Sequence, residues 1–237
     1  MVDFVALEKS GGKVGVDGLV VVAGPPGVGK STLLSQDDDA IFLSCDKGLG
    51  FLETRHVVCD RWEDLKAHSL ALSRQVTNGD FKAPPVMVID TADAARDLML
   101  VWAQGNKPRA TLEDHGKVLA TWKKFVGWCA ELPFLVVFLA HTEVRESVGE
   151  VSPASVGLCL SANLSRALTG RADLLLIADF GKRRRDGTQE RVLRMDVAGD
   201  AKDRTGRFPS SMPLDWALVK DLMMGEPYEP EEEEFDD

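Results

Sequence analysis

Eight consecutive residues, Gly24-Pro25-Pro26-Gly27-Val28-Gly29-Lys30-Ser31, form a complete G-x-x-x-x-G-K-S. The chemistry this spacing serves is the holding of a phosphate chain. Glycines let the backbone curl until successive N–H groups point inward, and the start of the following helix adds positive potential. Lys30 reaches the outer phosphates, and the Ser31 hydroxyl is suited to ligate magnesium. The motif needs a strand before it and a helix after it. The apolar run Leu19 to Ala23 and the segment from about Lys30 supply both. A glycine-rich turn that merely happens to end in Lys-Ser would not carry that context. Gly24, Pro25, Pro26, Gly27, Val28, Gly29, Lys30, Ser31 and Thr32 are therefore the expected binding loop of a nucleoside triphosphate.

Such a loop requires a carboxylate beside the magnesium, delivered by another buried strand. Val86-Met87-Val88-Ile89-Asp90 provides it, with the acid at the carboxyl end, where ligands sit in an open α/β sheet. Ser31 and Asp90 are thus the expected metal-facing pair. The plainer alternative is that Asp90 caps the helix that follows.

The elements that must position these groups are readable. Nearly continuous apolar runs recur at Leu19 to Ala23, Ala40 to Cys45, His56 to Cys59, Val86 to Ile89, Phe134 to Ala140 and Leu174 to Ala178. Runs without polar alternation suit strands buried on both faces, as in a parallel sheet. Helical patterns lie between them. One has Asp60 and Glu63 as a capping box, the stripe Leu65, Leu72 and Val76, and a stop at Asn78-Gly79. Another carries Val118, Trp122, Phe125, Val126 and Cys129 at helical spacing, which reads as core, and ends before Pro133. The alternation predicts a three-layer α/β domain with a mainly parallel sheet. Leu174 to Phe180 and Arg191 to Val197 flank Arg185-Asp186-Gly187 and predict a C-terminal antiparallel hairpin.

Composition narrows the class. The chain has 237 residues, a hydrophobic fraction of 44% and a net charge of −10, enough apolar content for one full core. Its last twelve residues, Glu226 to Asp237, hold eight of the 38 acidic groups and none of the 28 basic ones. The body is therefore nearly neutral, which excludes a uniformly basic nucleic-acid coat but not local basic loops. We expect a core over residues 1–225 and a disordered acidic tail over 226–237. No apolar run approaches the roughly 20 residues of a membrane span, and no secretion signal opens the chain. Cys45, Cys59, Cys129 and Cys159 lack zinc-type spacing and read as reduced thiols, so a cytoplasmic location without membrane contact is expected.

Three further stretches join the phosphate loop: Cys45-Asp46-Lys47-Gly48-Leu49, His141-Thr142-Glu143, and Ala201-Lys202-Asp203-Arg204-Thr205-Gly206-Arg207. In this order the sequence resembles the RecA-like P-loop core ATPases, most closely the short phage-encoded nucleotide-binding proteins linked to single-strand annealing and recombination. The likeness covers about residues 16 to 210. It implies ATP and Mg2+ as ligands. Asp46 matches the glutamate that positions the attacking water, here one methylene shorter. His141 matches the polar γ-phosphate sensor, usually glutamine, at the start of the second DNA-binding loop; a core histidine is the plainer alternative. Lys202 and Arg204 match the paired cations that reach across a subunit interface to a neighbour's phosphates; an exposed basic loop is theirs. His56, His68 and His115 carry no implied role.

The resemblance places the first DNA-binding loop at Gln104 to Gly116, of loop composition with Lys107 and Arg109, and the second at Thr142 to Leu160, rich in Ser, Val and Gly, where Arg145 is the one basic residue. Lys182-Arg183-Arg184-Arg185 is the densest basic patch, either a DNA contact or a solvated turn. The implied function is ATP-dependent single-strand annealing or homologous recombination by a homo-oligomer, ring or filament, on single-stranded DNA. In a phage setting the location is the host cytoplasm. The acidic tail, with Phe235 among its acids, is a candidate contact for a single-strand-binding or replication protein. With about 17 residues before the first strand, no counterpart of the separate N-terminal oligomerisation region of full-length RecA is expected, which leaves ring against filament open. An ATPase motor or loader with little DNA affinity, and a small-molecule phosphotransferase, are the alternatives.

Overall fold

A computed structural model describes residues 17–145, 155–183, 187–195 and 202–228. The apolar runs form β1 (Gly18–Gly24), β2 (Ala40–Ser44), β3 (Arg55–Val58), β4 (Val86–Asp90), β5 (Leu135–Arg145) and β7 (Leu174–Arg183). All six lie parallel to one another, in the order β3-β2-β4-β5-β1-β7. Beyond β7 the sheet turns antiparallel through β8 (Gln189–Arg194), which carries β10 (Ser211–Pro213) on its far side. The short β9 (Lys202–Asp203) pairs with the amino end of β7. The expected parallel sheet with a C-terminal hairpin is what the chain builds.

Alternation within β1 shows how the three layers arise. Leu19, Val21 and Ala23 face a core with α2 (Trp62–Thr77), α3 (Ala92–Gln104), α4 (Leu112–Cys129) and α5 (Ala162–Arg171). Val20 and Val22 face the opposite core, closed by α1 (Lys30–Leu34) and α6 (Trp216–Met224). Both faces of β1 are apolar because both are covered, which is why its sequence shows no polar alternation. The aromatic stripe of α4 is core, as its spacing predicts. Trp122 and Phe125 meet Phe138 of β5 edge-to-face at 6.0 and 6.2 Å, a geometry worth about 0.5–1.5 kcal/mol per pair beyond the area buried. The Trp122 indole N–H donates to the Leu164 carbonyl at 3.0 Å, so its polar edge is satisfied too.

Helix α2 starts one residue later than the capping-box reading placed it. Asp64, not Glu63, accepts the backbone N–H of Arg61 at 3.0 Å. Trp62 is almost fully buried as the first helical residue, so packing of the indole sets the register, and Asp60 instead pairs with Lys47 at 2.6 Å.

The segment Thr142 to Leu160 was expected as a loop, yet its base is a hairpin. β5 runs on to Arg145 and pairs antiparallel with β6 (Ser155–Leu158), Thr142 opposite Leu158. The apolar positions Val144 and Val156 sit opposite each other in that ladder, so paired backbone replaces the irregular loop that the Ser and Gly content implied. Residues 146–154, Arg184 and Arg185 of the basic patch, and residues 229–237 of the acidic tail lie outside the described residues. Among the described residues no helix is long and apolar enough to cross a membrane, and Cys45, Cys59, Cys129 and Cys159 are free.

Candidate functional site

The carboxyl ends of the parallel strands gather the chemistry. Register puts Gly24 of β1 beside His141 of β5, and Asp90 of β4 beside Leu139 of β5 and Ser44 of β2. Asp46 follows two residues beyond the end of β2. Residues distant in sequence are thus neighbours because each closes a strand of one parallel sheet.

The loop Gly24 to Gly29 folds tightly enough that glycine is required at three points. Gly27 has φ +78° and Gly29 +104°, and a Cβ on Gly24 would stand 2.4 Å from the Ala178 carbonyl oxygen. Lys30 opens α1 as a buried residue. Its ammonium donates to the carbonyls of Gly24 at 2.9 Å and Pro25 at 3.0 Å, which leaves a third N–H for a phosphate oxygen. Burial pushes its pKa below the ordinary lysine value, against the pull of the Asp90, Asp93 and Asp46 carboxylates. A phosphate on that third N–H would favour the charged ammonium and oppose the effect of burial. Thr32 lies exposed on the same turn.

Ser31 Oγ donates to Asp90 Oδ2 at 2.8 Å. Asp90 does not cap α3. That task falls to Thr91, whose hydroxyl accepts the Ala94 N–H at 3.3 Å. The Asp90 carboxyl is 2% exposed, and its pKa is pushed up to about 6, first by burial and then by the nearby Asp46 charge. A buried carboxylate joined to a hydroxyl is a pair of hard oxygen donors, and magnesium takes one or two such protein oxygens together with substrate phosphates. The residues therefore fit the ion. It would neutralise charge on the outer phosphates. Among the described residues no cluster of three or more His, Cys, Asp or Glu side chains forms a metal cage apart from phosphate.

Asp46 is exposed, in a turn where its Oδ1 accepts the Gly48 N–H at 2.9 Å and where Lys47 has φ 62°. His141 is not a core histidine. Its side chain is 28% exposed and its Nδ1 lies 2.8 Å from Asp93 Oδ2, while its backbone N–H donates to Asp93 Oδ1 at 3.1 Å. Burial alone would raise the Asp93 pKa, yet the hydrogen bonds from His141 hold it below the usual carboxylate range. The grip fixes the ring and directs Nε2 away from Asp93. Asp93 is the residue sequence reasoning missed. An acid in the first turn of a helix reads as a dipole partner, and nothing local reveals a ligand 48 residues away.

Lys202 and Arg204 are not brought to the phosphate loop of their own chain. β9 pairs Lys202 with Leu175, beside Val21 of β1, well short of Gly24. Both cations close the end of α5: Lys202 Nζ donates to the Thr169 carbonyl at 2.8 Å and Arg204 Nη2 to the Gly170 carbonyl at 3.1 Å. Arg204 Nη1 also meets Asp173 Oδ1 at 3.1 Å. The first expected DNA segment is shorter than its composition implied. α4 begins at Leu112, and Lys107 is paired with the buried Asp114, because a carboxylate at 0% exposure needs a counter-charge. Arg109 remains exposed in the connection.

Fold and site together define a P-loop ATPase of three-layer α/β build. Residues 19–205 match the AAA domain family, and the protein belongs to it. Among solved structures the chain is similar to a KaiC-like protein, PH0186, from the hyperthermophilic archaeon Pyrococcus horikoshii OT3. The identity is 12%, the alignment covers 83% of this chain and 84% of that one, and the TM-score is 0.47. No curated protein matches the sequence.

Proposed function

We propose that this AAA-family ATPase hydrolyses ATP with magnesium and uses the cycle to act on single-stranded DNA in annealing or recombination, in a phage setting. Lys30 holds the outer phosphates, Ser31 and Asp90 face the ion, Asp46 takes a proton from the attacking water, and His141 reads the γ-phosphate. The observation that carries the DNA reading is the continuity of β5. The strand passes from His141, beside Gly24, straight into the hairpin of Thr142–Arg145 with Ser155–Leu158. A change at the phosphate end is thereby transmitted to the segment that contacts DNA, without an intervening joint. Arg109 and the Lys182–Arg183 end of β7, exposed, add phosphate contacts of the kind that position rather than specify.

The test is the ATPase rate with and without single-stranded DNA, alongside a gel shift at two salt concentrations. Stimulation by DNA, with binding that weakens as salt rises, is the expected result. Hydrolysis indifferent to DNA, with no shift at low salt, would favour a loader acting on another replication protein.

A further inference from the structure

A second cation lies against the phosphate loop, and no motif announces it. The guanidinium of Arg191, on β8, packs on Gly29. A Cβ built on that glycine would stand 2.8 Å from Arg191 Nη1 and 3.4 Å from Leu214 Cδ2. The backbone beneath it is anchored on both sides: Arg191 pairs with Phe180 of β7, and its carbonyl accepts the Leu214 N–H at 3.2 Å. Other arginines of this region have partners. Arg194 meets Asp179 at 3.3 Å, Arg183 donates to the Gly187 carbonyl at 3.2 Å and Arg204 meets Asp173. The Arg191 side chain has no hydrogen-bond or ion-pair partner among the described residues, although it lies against Gly29, next in sequence to Lys30. A guanidinium with no carboxylate partner of its own, set against a phosphate-binding loop, is an arrangement that an anion completes.

Topology says which part of the anion. β1 stands between β5 and β7. Asp46, Asp90 and His141 all lie on the β5 flank, so the γ-phosphate end belongs there. Arg191 reaches in from the opposite flank, across β7. We propose that Arg191 is a nucleotide ligand supplied by the same chain, whose guanidinium binds the α- and β-phosphate oxygens on the side of the loop away from the reacting end. This rests on the phosphate-loop reading. It adds a binding residue from the C-terminal hairpin to a site otherwise built by β1, β2, β4 and β5.

The test is titration calorimetry of the full chain with ATP, ADP and inorganic tripolyphosphate, on wild type, Arg191→Gln, Arg191→Lys and Lys30→Ala. Arg191→Gln should weaken all three ligands by a common factor of about tenfold, the scale of one charge-assisted contact. Arg191→Lys should recover part of it, and the loss should shrink as salt rises. A loss confined to ATP would put the guanidinium on the γ-phosphate, and a loss for the nucleotides but not tripolyphosphate would put it on the base; either overturns the assignment. Unchanged affinity in Arg191→Gln, with binding lost in Lys30→Ala, sinks the Arg191 proposal alone. Normal binding in Lys30→Ala would sink the phosphate-loop reading beneath it. Thermal melts of the Arg191 variants at wild-type values would keep affinity loss distinct from unfolding.

Discussion

The two ends of the parallel strands use the same residue types to opposite effect. At the amino ends the charges are met. Asp37, before β2, accepts the Asp39 N–H at 3.0 Å, the Trp216 indole N–H at 2.8 Å and the Lys220 ammonium at 3.0 Å. Asp173, before β7, accepts the Leu19 N–H and Arg204, each at 3.1 Å. These carboxylates fasten α6 and β9 to the sheet. At the carboxyl ends, Lys30 is pushed down by burial, and Asp90 is pushed up to about 6 by burial and by Asp46. Charge there is concentrated before it is neutralised. A fold can carry that imbalance because it is small beside the burial of two apolar layers, and a ligand bearing phosphate and magnesium removes it.

The largest expected effect tests that imbalance directly. The Asp90 pKa is raised from 3.8 to about 6 in the fold, so the cost of its ionised form is present above pH 6 and absent below about pH 4. Two pKa units at 1.36 kcal/mol each give about 3 kcal/mol. Asp90→Asn, which can still accept the Ser31 hydroxyl, should stabilise the ligand-free protein at pH 8 by up to that amount, while magnesium-dependent hydrolysis is lost. The gain should shrink as the pH falls through 6, read from denaturant midpoints across pH. In the wild type, magnesium affinity should weaken as the pH falls through the same window, since the ion competes with the proton for the carboxylate. A destabilised Asn variant at pH 8 would erase the difference between the two ends.

Asp46→Asn should lower turnover by about 100-fold, the scale of a lost general base, with nucleotide affinity within a few-fold. Affinity and rate falling together in steady-state kinetics and titration would make Asp46 a structural turn residue, like the acids at the opposite end.

Asp37→Ala is the mirror of Asp90→Asn. Burial pushes the Asp37 carboxyl up, but the Asp39 N–H, Trp216 and Lys220 together hold it below its ordinary value. Its contribution is therefore present above about pH 4 and lost as the pH falls through the lowered value. Removing it leaves the buried Trp216 N–H unpaired and should cost about 2 kcal/mol at pH 7. Hydrolysis by the folded fraction should stay at the wild-type rate, and the loss should fade in acid, opposite in sign to Asp90→Asn.

What the sequence showed of this contrast depended on distance along the chain. The phosphate loop, the buried strands and the α4 stripe are local patterns, and each was legible because one element states its own requirement. Asp90 was legible because it closes such a strand. Asp93 holding His141, Arg191 packing on Gly29, and Lys107 paired with Asp114 within a presumed DNA loop all required knowing which chain ends meet. The start of α2 was misplaced by one residue because burial of Trp62 outweighs cap chemistry at Asp60. The β5–β6 hairpin was hidden because its pairing lies across residues whose Ser and Gly content reads as loop.

The smallest expected effect could break the comparison. Lys202 and Arg204 belong to the fastening end, where they hold the last carbonyls of α5, and exposed contacts of that kind are worth about 1 kcal/mol. Their double alanine variant should therefore melt only slightly early. The RecA-like reading gives them a second task on a neighbour's phosphates. That task requires the amino end of one copy to approach the carboxyl end of the next, a head-to-tail contact that closes a ring or extends a filament. Hydrolysis should then rise more steeply than linearly with protein concentration. Mixing equal amounts of Lys30→Ala and Lys202→Ala/Arg204→Ala should restore some activity, because in about a quarter of the junctions of a random mixture an intact loop faces intact cations. Rescue would show that one set of residues fastens its own fold and completes its neighbour's site, so the two ends are one functional unit across the interface. A co-assembled mixture with no rescue would confine the pair to the α5 terminus and leave fastening and chemistry at separate ends of the sheet.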